Sequence, residues 1–199
     1  MKKGIIIFVR NPELGKVKTR LAKDIGDEQA LKVYKELLQH THDITCEFAG
    51  DRFVYYADSV TENDLWENSL YEKKLQEGDK LGDRMMLPFC DLFQEGYSKL
   101  VIIGSDCPEL STSNIDEAFE RLEHNDVVIG PSSDGGYYLL GLKHLIPELF
   151  KNKNWSTNTV LADTIKNMVA LKMECSFLPE LSDIDTAEDF YRYQQMQKT

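Results

Sequence analysis

The run Val101-Ile-Ile-Gly-Ser-Asp-Cys-Pro-Glu-Leu110 sets the tightest limit on the fold. Its apolar start shows no alternation, which suits a strand buried on both faces, and such strands belong to parallel sheets covered by helices. The run stops at Asp106, and Pro108 bars further ladder pairing. In open α/β sheets ligands sit at the carboxyl ends of the strands, so Asp106 stands where chemistry is done and is the first candidate for a metal ligand.

Similar runs alternate with helical periodicity along the chain, the pattern of βα units around a largely parallel sheet. Strands are expected at 3–9, 52–57, 100–104, 126–130 and 136–142, with an extended stretch at 172–177. Helices are expected at 27–44, 81–95, 114–124, 157–168 and 186–196. Ser113 is placed to cap the third of these, and Thr186-x-x-Asp189 resembles a capping box at the start of the last. No repeat or low-complexity tract interrupts the order, so residues 1–199 are expected to form one α/β domain.

Composition narrows the function classes. The net charge of −11 argues against a general nucleic-acid or anionic-membrane binder, which needs basic surface. Yet residues 1–23 hold seven Lys and Arg against one acid, Glu13, a net +6 that leaves −17 for the rest. A local positive spot on an acidic protein points to a small anionic ligand. The apolar run at the amino terminus is too short for a signal-peptide core or a membrane span. Cys46, Cys90, Cys107 and Cys175 are scattered without zinc spacing, so reduced thiols and a cytoplasmic location are expected.

Six segments carry residue types suited to chemistry. In Arg10-Asn-Pro-Glu-Leu-Gly-Lys-Val-Lys-Thr-Arg20, a turn with Gly15 and the cations Arg10, Lys18 and Arg20 can meet phosphate oxygens; a solvated basic loop reads the same residues. It lacks both Walker and dinucleotide-turn glycine spacing. In Gln76-Glu-Gly-Asp-Lys-Leu-Gly-Asp-Arg84, Gly78 and Gly82 would let a ligand approach the backbone and Gln76 suits a base edge, whereas an ordinary helix start explains Asp83 and Arg84. Asp106 is the third candidate, with turn formation as its alternative.

The fourth is Asp134-Gly-Gly136, where Gly135 and Gly136 remove side chains beside a carboxylate; a hairpin turn competes. Asp183 and Asp185 form the fifth: two residues apart in extended chain, they share a face and could hold a hard cation, or simply cap a helix. Trp155, ahead of Ser156-Thr157, is the sixth, a stacking platform or a packed aromatic.

Together these segments resemble a bacterial family of glycosyltransferase-like proteins, the rSAM/selenodomain-associated transferases. The resemblance rests on Phe8-Val-Arg-Asn-Pro12, Gly15, Lys18-Thr-Arg-Leu21, Gln76, Gly78, Asp79, Leu81-Gly82 and Arg84-Met85. It continues through Gly104-Ser-Asp-Cys-Pro108, Gly130-Pro131, Asp134-Gly-Gly-Tyr137, Trp155-Ser-Thr157 and Asp183-Ile-Asp-Thr186. Lys80, between Asp79 and Leu81, departs from the pattern.

The resemblance implies a three-layer α/β/α sandwich with a mostly parallel mixed sheet, the nucleotide-diphospho-sugar transferase (GT-A) fold shared with molybdenum-cofactor and 2-phospholactate guanylyltransferases. It further implies a transferase using Mg²⁺ or Mn²⁺, a nucleotide or nucleotide-sugar donor and a small-molecule acceptor, with oligomerisation left open. On this reading Asp106, helped by Asp185 or Asp134, holds the metal and Lys18 and Arg20 meet phosphate. Arg10, Gly15, Gln76, Gly78, Gly82, Arg84, Gly135, Gly136 and Trp155 surround the substrate, with Asp134, or less readily His144, as general base. Glycosyl transfer is the leading expectation. Nucleotidyl transfer, suggested by Lys18-Thr-Arg-Leu21, is the alternative, and a non-catalytic nucleotide-binding protein is a third reading.

Overall fold

The computed structural model describes residues 2–196. A seven-stranded sheet runs through it, from β1 (Lys3–Val9), β2 (Asp51–Tyr56), β3 (Glu72–Leu75), β4 (Lys99–Ile103), β5 (Val127–Pro131), β6 (Tyr137–Leu142) and β7 (Cys175–Phe177). Their spatial order is β3-β2-β1-β4-β6-β5-β7. β6 is antiparallel to both its neighbours, β4 and β5, and all other pairings are parallel.

Successive side chains along each strand enter opposite cores, as a pleated strand requires. On one face Ile5, Ile7, Val54, Val101 and Val128 pack beneath α2 (Asp27–Thr45) and α4 (Thr112–Arg121). On the other, Ile6, Phe53, Ile102, Ile129 and Leu140 pack beneath α3 (Leu81–Gln94) and α5 (Val160–Leu171). Three layers result, and the apolar runs lack alternation because both faces of the sheet are covered. Burying one such side chain contributes about 1.5–3 kcal/mol.

A third, smaller cluster joins Leu21 of α1 (Thr19–Ile25), Ala30, Val33 and Leu37 of α2, and Phe190 of α6 (Ala187–Met196). This packing folds the carboxyl-terminal segment back against the loop that follows β1.

Several elements differ from the sequence expectation. No element was expected at α1 or β3: α1 buries Leu21 alone, and β3 is a polar edge strand, Glu-Lys-Lys-Leu. The cap of α4 is Ser111 rather than Ser113; its hydroxyl accepts from the Asn114 N–H while the Asn114 side chain accepts from the Ser111 N–H. Extended chain near residue 172 is confined to β7, because Lys172 adopts a left-handed conformation that ends α5. The Thr186–Asp189 box forms as expected, with both reciprocal bonds made. Among the described residues no helix is long and apolar enough to cross a membrane, and all four cysteines are free.

Candidate active site

A cleft of about 650 Å³ opens over the carboxyl ends of β1 and β4, where the chain leaves the sheet. Arg10 and residues 16–20 form one wall, and Gly104, Ser105 and Asp106 the floor. Asp134, Gly136 and Tyr137 approach from the β5–β6 turn, Trp155 and Asn158 from the segment before α5, and Asp183 and Asp185 from the segment before α6. Gln76, Arg84 and Met85 complete the rim near β3 and α3.

The acidic side is built by one backbone bond. The Ile184 N–H donates to the Asp106 carbonyl at 3.0 Å. Ile184 turns inward and is buried, so Asp183 and Asp185 on either side of it reach the cleft. Asp183 accepts from Ser132 Oγ at 3.0 Å. Burial first, then the neighbouring Asp106 carboxylate, raises its pKa to about 7.

Lys18 meets this acidic group from the opposite wall. Its Nζ lies 2.7 Å from Asp106 Oδ1 and 3.0 Å from Asp185 Oδ1. The ammonium side chain is 5% exposed, whereas the two carboxylates are 44% and 47% exposed. Burial alone would lower the Lys18 pKa, but the attraction of Asp106 and Asp185 outweighs it and raises the value to about 12. Lys18 also occupies the left-handed backbone region, φ 49°, at the start of α1. Non-glycine residues rarely adopt that conformation.

The loop carrying these cations is held by two residues that sequence reading assigned no part in the site. Tyr34 of α2 accepts from the Arg10 N–H at 2.8 Å and donates to the Arg10 carbonyl at 3.1 Å. Asn11 is buried and donates to the Ser59 carbonyl at 2.9 Å. The hydroxyl of Tyr34, on an otherwise apolar helix stripe, is the signal in the sequence for this role. Arg10 and Arg20 are exposed, and among the described residues neither side chain has an ion-pair partner, unlike Lys16, which pairs with Glu13 at 2.6 Å.

Four glycines expected to bring backbone to a ligand do not line the cleft: Gly15, Gly78, Gly82 and Gly135. Protein occupies the space that their missing side chains leave in three cases. A Cβ on Gly78 would stand 2.8 Å from the Asp83 Cβ, one on Gly82 2.5 Å from Trp155 Nε1, and one on Gly135 against the Asn158 carbonyl. Gly15, Gly78 and Gly135 have positive φ as well, at 74°, 114° and 87°. Gly136 does line the cleft.

Other expectations are modified by contacts. The Gln76 amide group donates to the Tyr55 carbonyl at 2.9 Å and to the Val9 carbonyl at 3.4 Å, tying the loop to the strand ends. That leaves its amide oxygen for a ligand. Asp134 lines the cleft and also closes the β5–β6 turn, accepting from the Gly136 N–H at 2.9 Å. Arg84 donates from Nε to the Gly78 carbonyl at 3.0 Å while lining the rim. His144 is exposed and stands outside the cleft.

A cleft over strand ends, with cations on one wall and carboxylates on the other, on a sheet whose single reversed strand is β6, defines the nucleotide-diphospho-sugar transferase fold. Comparison with solved structures agrees. A Desulfovibrio desulfuricans G20 protein, provisionally described as a nucleotide-diphospho-sugar transferase, superposes with a TM-score of 0.92 at 31% identity, covering 100% of this chain and 89% of that one. The 4-diphosphocytidyl-2C-methyl-D-erythritol synthase of Anaerococcus prevotii gives a TM-score of 0.63 at 10% identity over 100% and 96% of the two chains. The inositol-1-phosphate CTP transferase of T. maritima gives 0.59 at 15%, over 99% and 96%. These last two share the fold. Residues 41–157 match the family model DUF2064, described as "Uncharacterized protein conserved in bacteria", and the chain belongs to that family. No curated protein matches it.

The donor chemistry of the cleft fits the expected divalent cation. Asp106 and Asp185 already place one oxygen each within 3.0 Å of a common cation, the Lys18 ammonium, which marks where positive charge is accommodated. Among the described residues no three His, Cys, Asp or Glu side chains converge on one point. Two carboxylates without a third suit Mg²⁺ or Mn²⁺ held jointly with substrate phosphates, rather than a cage made by protein alone.

Proposed function

We propose that this chain is a single-domain, metal-dependent transferase whose donor is a nucleotide-activated sugar. The observation that carries the reading is the gathering of opposite charges in one cleft, Arg10 and Arg20 with Asp106 beyond β4 and with Asp183 and Asp185 before α6. The 31% identity to a protein described as a nucleotide-diphospho-sugar transferase supports the donor class.

In this proposal Arg10 and Arg20 meet the diphosphate with charge-assisted hydrogen bonds. Trp155 and the Gln76 amide oxygen flank the nucleoside, with Arg84 at the rim. Asp106 and Asp185 hold a divalent cation that, when bound, offsets charge on the departing phosphate. Asp134 keeps one carboxylate oxygen free of the β5–β6 turn and is the general base for the acceptor.

Nucleotidyl transfer is the second reading, favoured by the Lys18-Thr-Arg-Leu21 element and by the two unpaired arginines, which could serve a longer phosphate chain. One assay separates the two. The protein is screened by thermal shift against nucleoside diphosphates, triphosphates and sugar nucleotides with Mn²⁺, and the stabilising compounds are then tested for turnover. Release of a nucleoside diphosphate supports sugar transfer, and release of pyrophosphate supports nucleotidyl transfer. Binding without turnover across a broad acceptor panel would sink both, and a full metal-linked shift in Asp106→Ala would remove Asp106 from the metal site.

A further inference from the structure

Lys18 lines the cleft, but its ammonium is held by carboxylates rather than left free as a phosphate-binding cation would be. Its side chain is 5% exposed and lies against two carboxylates that are themselves nearly half exposed. Three separate parts of the chain meet at this amine: the start of α1, the end of β4 and the segment before α6. The left-handed backbone at Lys18 is an unfavourable conformation for a residue with a side chain, and strain of that kind persists where surrounding structure enforces it.

The electrostatic consequence concerns the cation. Two adjacent carboxylates attract a free divalent ion strongly, but an ammonium within 3.0 Å of both cancels half their charge and repels the incoming ion. Each carboxylate also has one oxygen, Oδ1, already engaged. The two remaining oxygens leave most of the six-oxygen shell of Mg²⁺ or Mn²⁺ to water, so the protein alone offers the ion a weak hold.

We propose that Lys18 is a resident counter-charge that makes capture of the divalent cation conditional on a polyphosphate. Resting on the transferase reading above, this makes Lys18 a positioning residue that acts through Asp106 and Asp185. A polyphosphate brings chelating, charged oxygens in place of water and enough negative charge to outweigh the ammonium. Arg10 and Arg20, exposed and without an ion-pair partner among the described residues, receive its remaining charge. Cation and polyphosphate then bind with positive coupling, each raising the affinity of the other. In their absence the carboxylates remain paired and the site does not collect metal.

The test measures Mn²⁺ binding to the full chain by electron paramagnetic resonance, without nucleotide. Lys18→Met should bind Mn²⁺ at least about tenfold more tightly than wild type, because a repelling charge is gone. Lys18→Arg, which keeps the charge, should stay near the wild-type affinity. Unchanged or weaker binding by Lys18→Met overturns the proposal, as does equal tightening by Lys18→Arg. A second measurement needs no variant: Mn²⁺ and inorganic pyrophosphate together should raise the wild-type melting temperature by more than the sum of their separate effects, and an additive result overturns the proposal. Nucleotide turnover by wild type with no Mn²⁺ gain in Lys18→Met defeats this inference alone. Gain of Mn²⁺ affinity with no nucleotide binding defeats the transferase reading alone.

Discussion

Trp155 packs over Gly82 so closely that a Cβ at position 82 would stand 2.5 Å from the indole Nε1. The glycine opens the first turn of α3, and the tryptophan lines the cleft from the segment before α5. Two motifs 73 residues apart in sequence are thereby one structural unit, and the missing side chain of Gly82 makes room for protein rather than for ligand.

Gly82→Ala is expected to destabilise the protein by about 1–3 kcal/mol, the usual cost of overpacking. It should also weaken donor binding, because Trp155 must move. Urea unfolding and calorimetric titration measure the two effects. Unaltered stability would mean that the indole and the Phe150 carbonyl, which crowds the same Cβ, both shift without cost.

Asp183 predicts a pH dependence. Its folded-state pKa, about 7, lies above the 3.8 of the unfolded chain, so the folded state holds a proton that the unfolded state releases. Its contribution to stability is fully present below about 3.8 and is lost as pH rises through about 7. Asp183→Asn cannot ionise. With chelator present, the variant's melting temperature relative to wild type should climb across that window and level off above it. A flat difference from pH 4 to 8 would contradict the burial of this carboxyl.

Arg20→Ala should reduce affinity for a nucleoside diphosphate by about tenfold, the effect of losing one charged hydrogen bond. Its binding should also depend less on ionic strength. Lys16→Ala should do far less, since Glu13 already pairs with Lys16 at 2.6 Å. Equal losses in both variants would point to a diffuse basic wall rather than a placed arginine.

Trp66 lies in the connection between β2 and β3 and is 2% exposed, edge-on to Tyr71. Trp66→Ala should cost about 3–5 kcal/mol, the range for removing a buried aromatic ring. Chemical denaturation reads it directly. A loss below about 1 kcal/mol would show that this connection folds independently of the core.

The main strands and helices were legible because burial on both faces leaves unbroken apolar runs at Ile5–Ile7, Leu100–Ile103 and Val127–Ile129. The acids and cations nominated in the loops, Arg10, Lys18, Arg20, Asp106, Asp134 and Asp185, do line one cleft. β3 was not legible, because an edge strand with Lys73 and Lys74 has no apolar signature. α1 was missed for a related reason, having a single buried residue to mark its period. The glycines misled because sequence shows that a side chain is absent and does not show what fills the gap: Asp83 and Arg84 beside Gly78, Asn158 beside Gly135.

Local chemistry, read residue by residue, determined the buried strands and the amphipathic helices, and which loops between them carry titratable groups. The partners of those groups were decided only by the tertiary structure. Lys18 and Asp185 are 167 positions apart, and their contact depends on α6 docking against α1 and on Ile184 hydrogen-bonding to Asp106. Hydrophobic periodicity is a short-range property of a chain. An ion pair between distant loops exists only after packing has brought the loops together, so sequence could nominate Lys18 for phosphate while the folded molecule buries it against carboxylates.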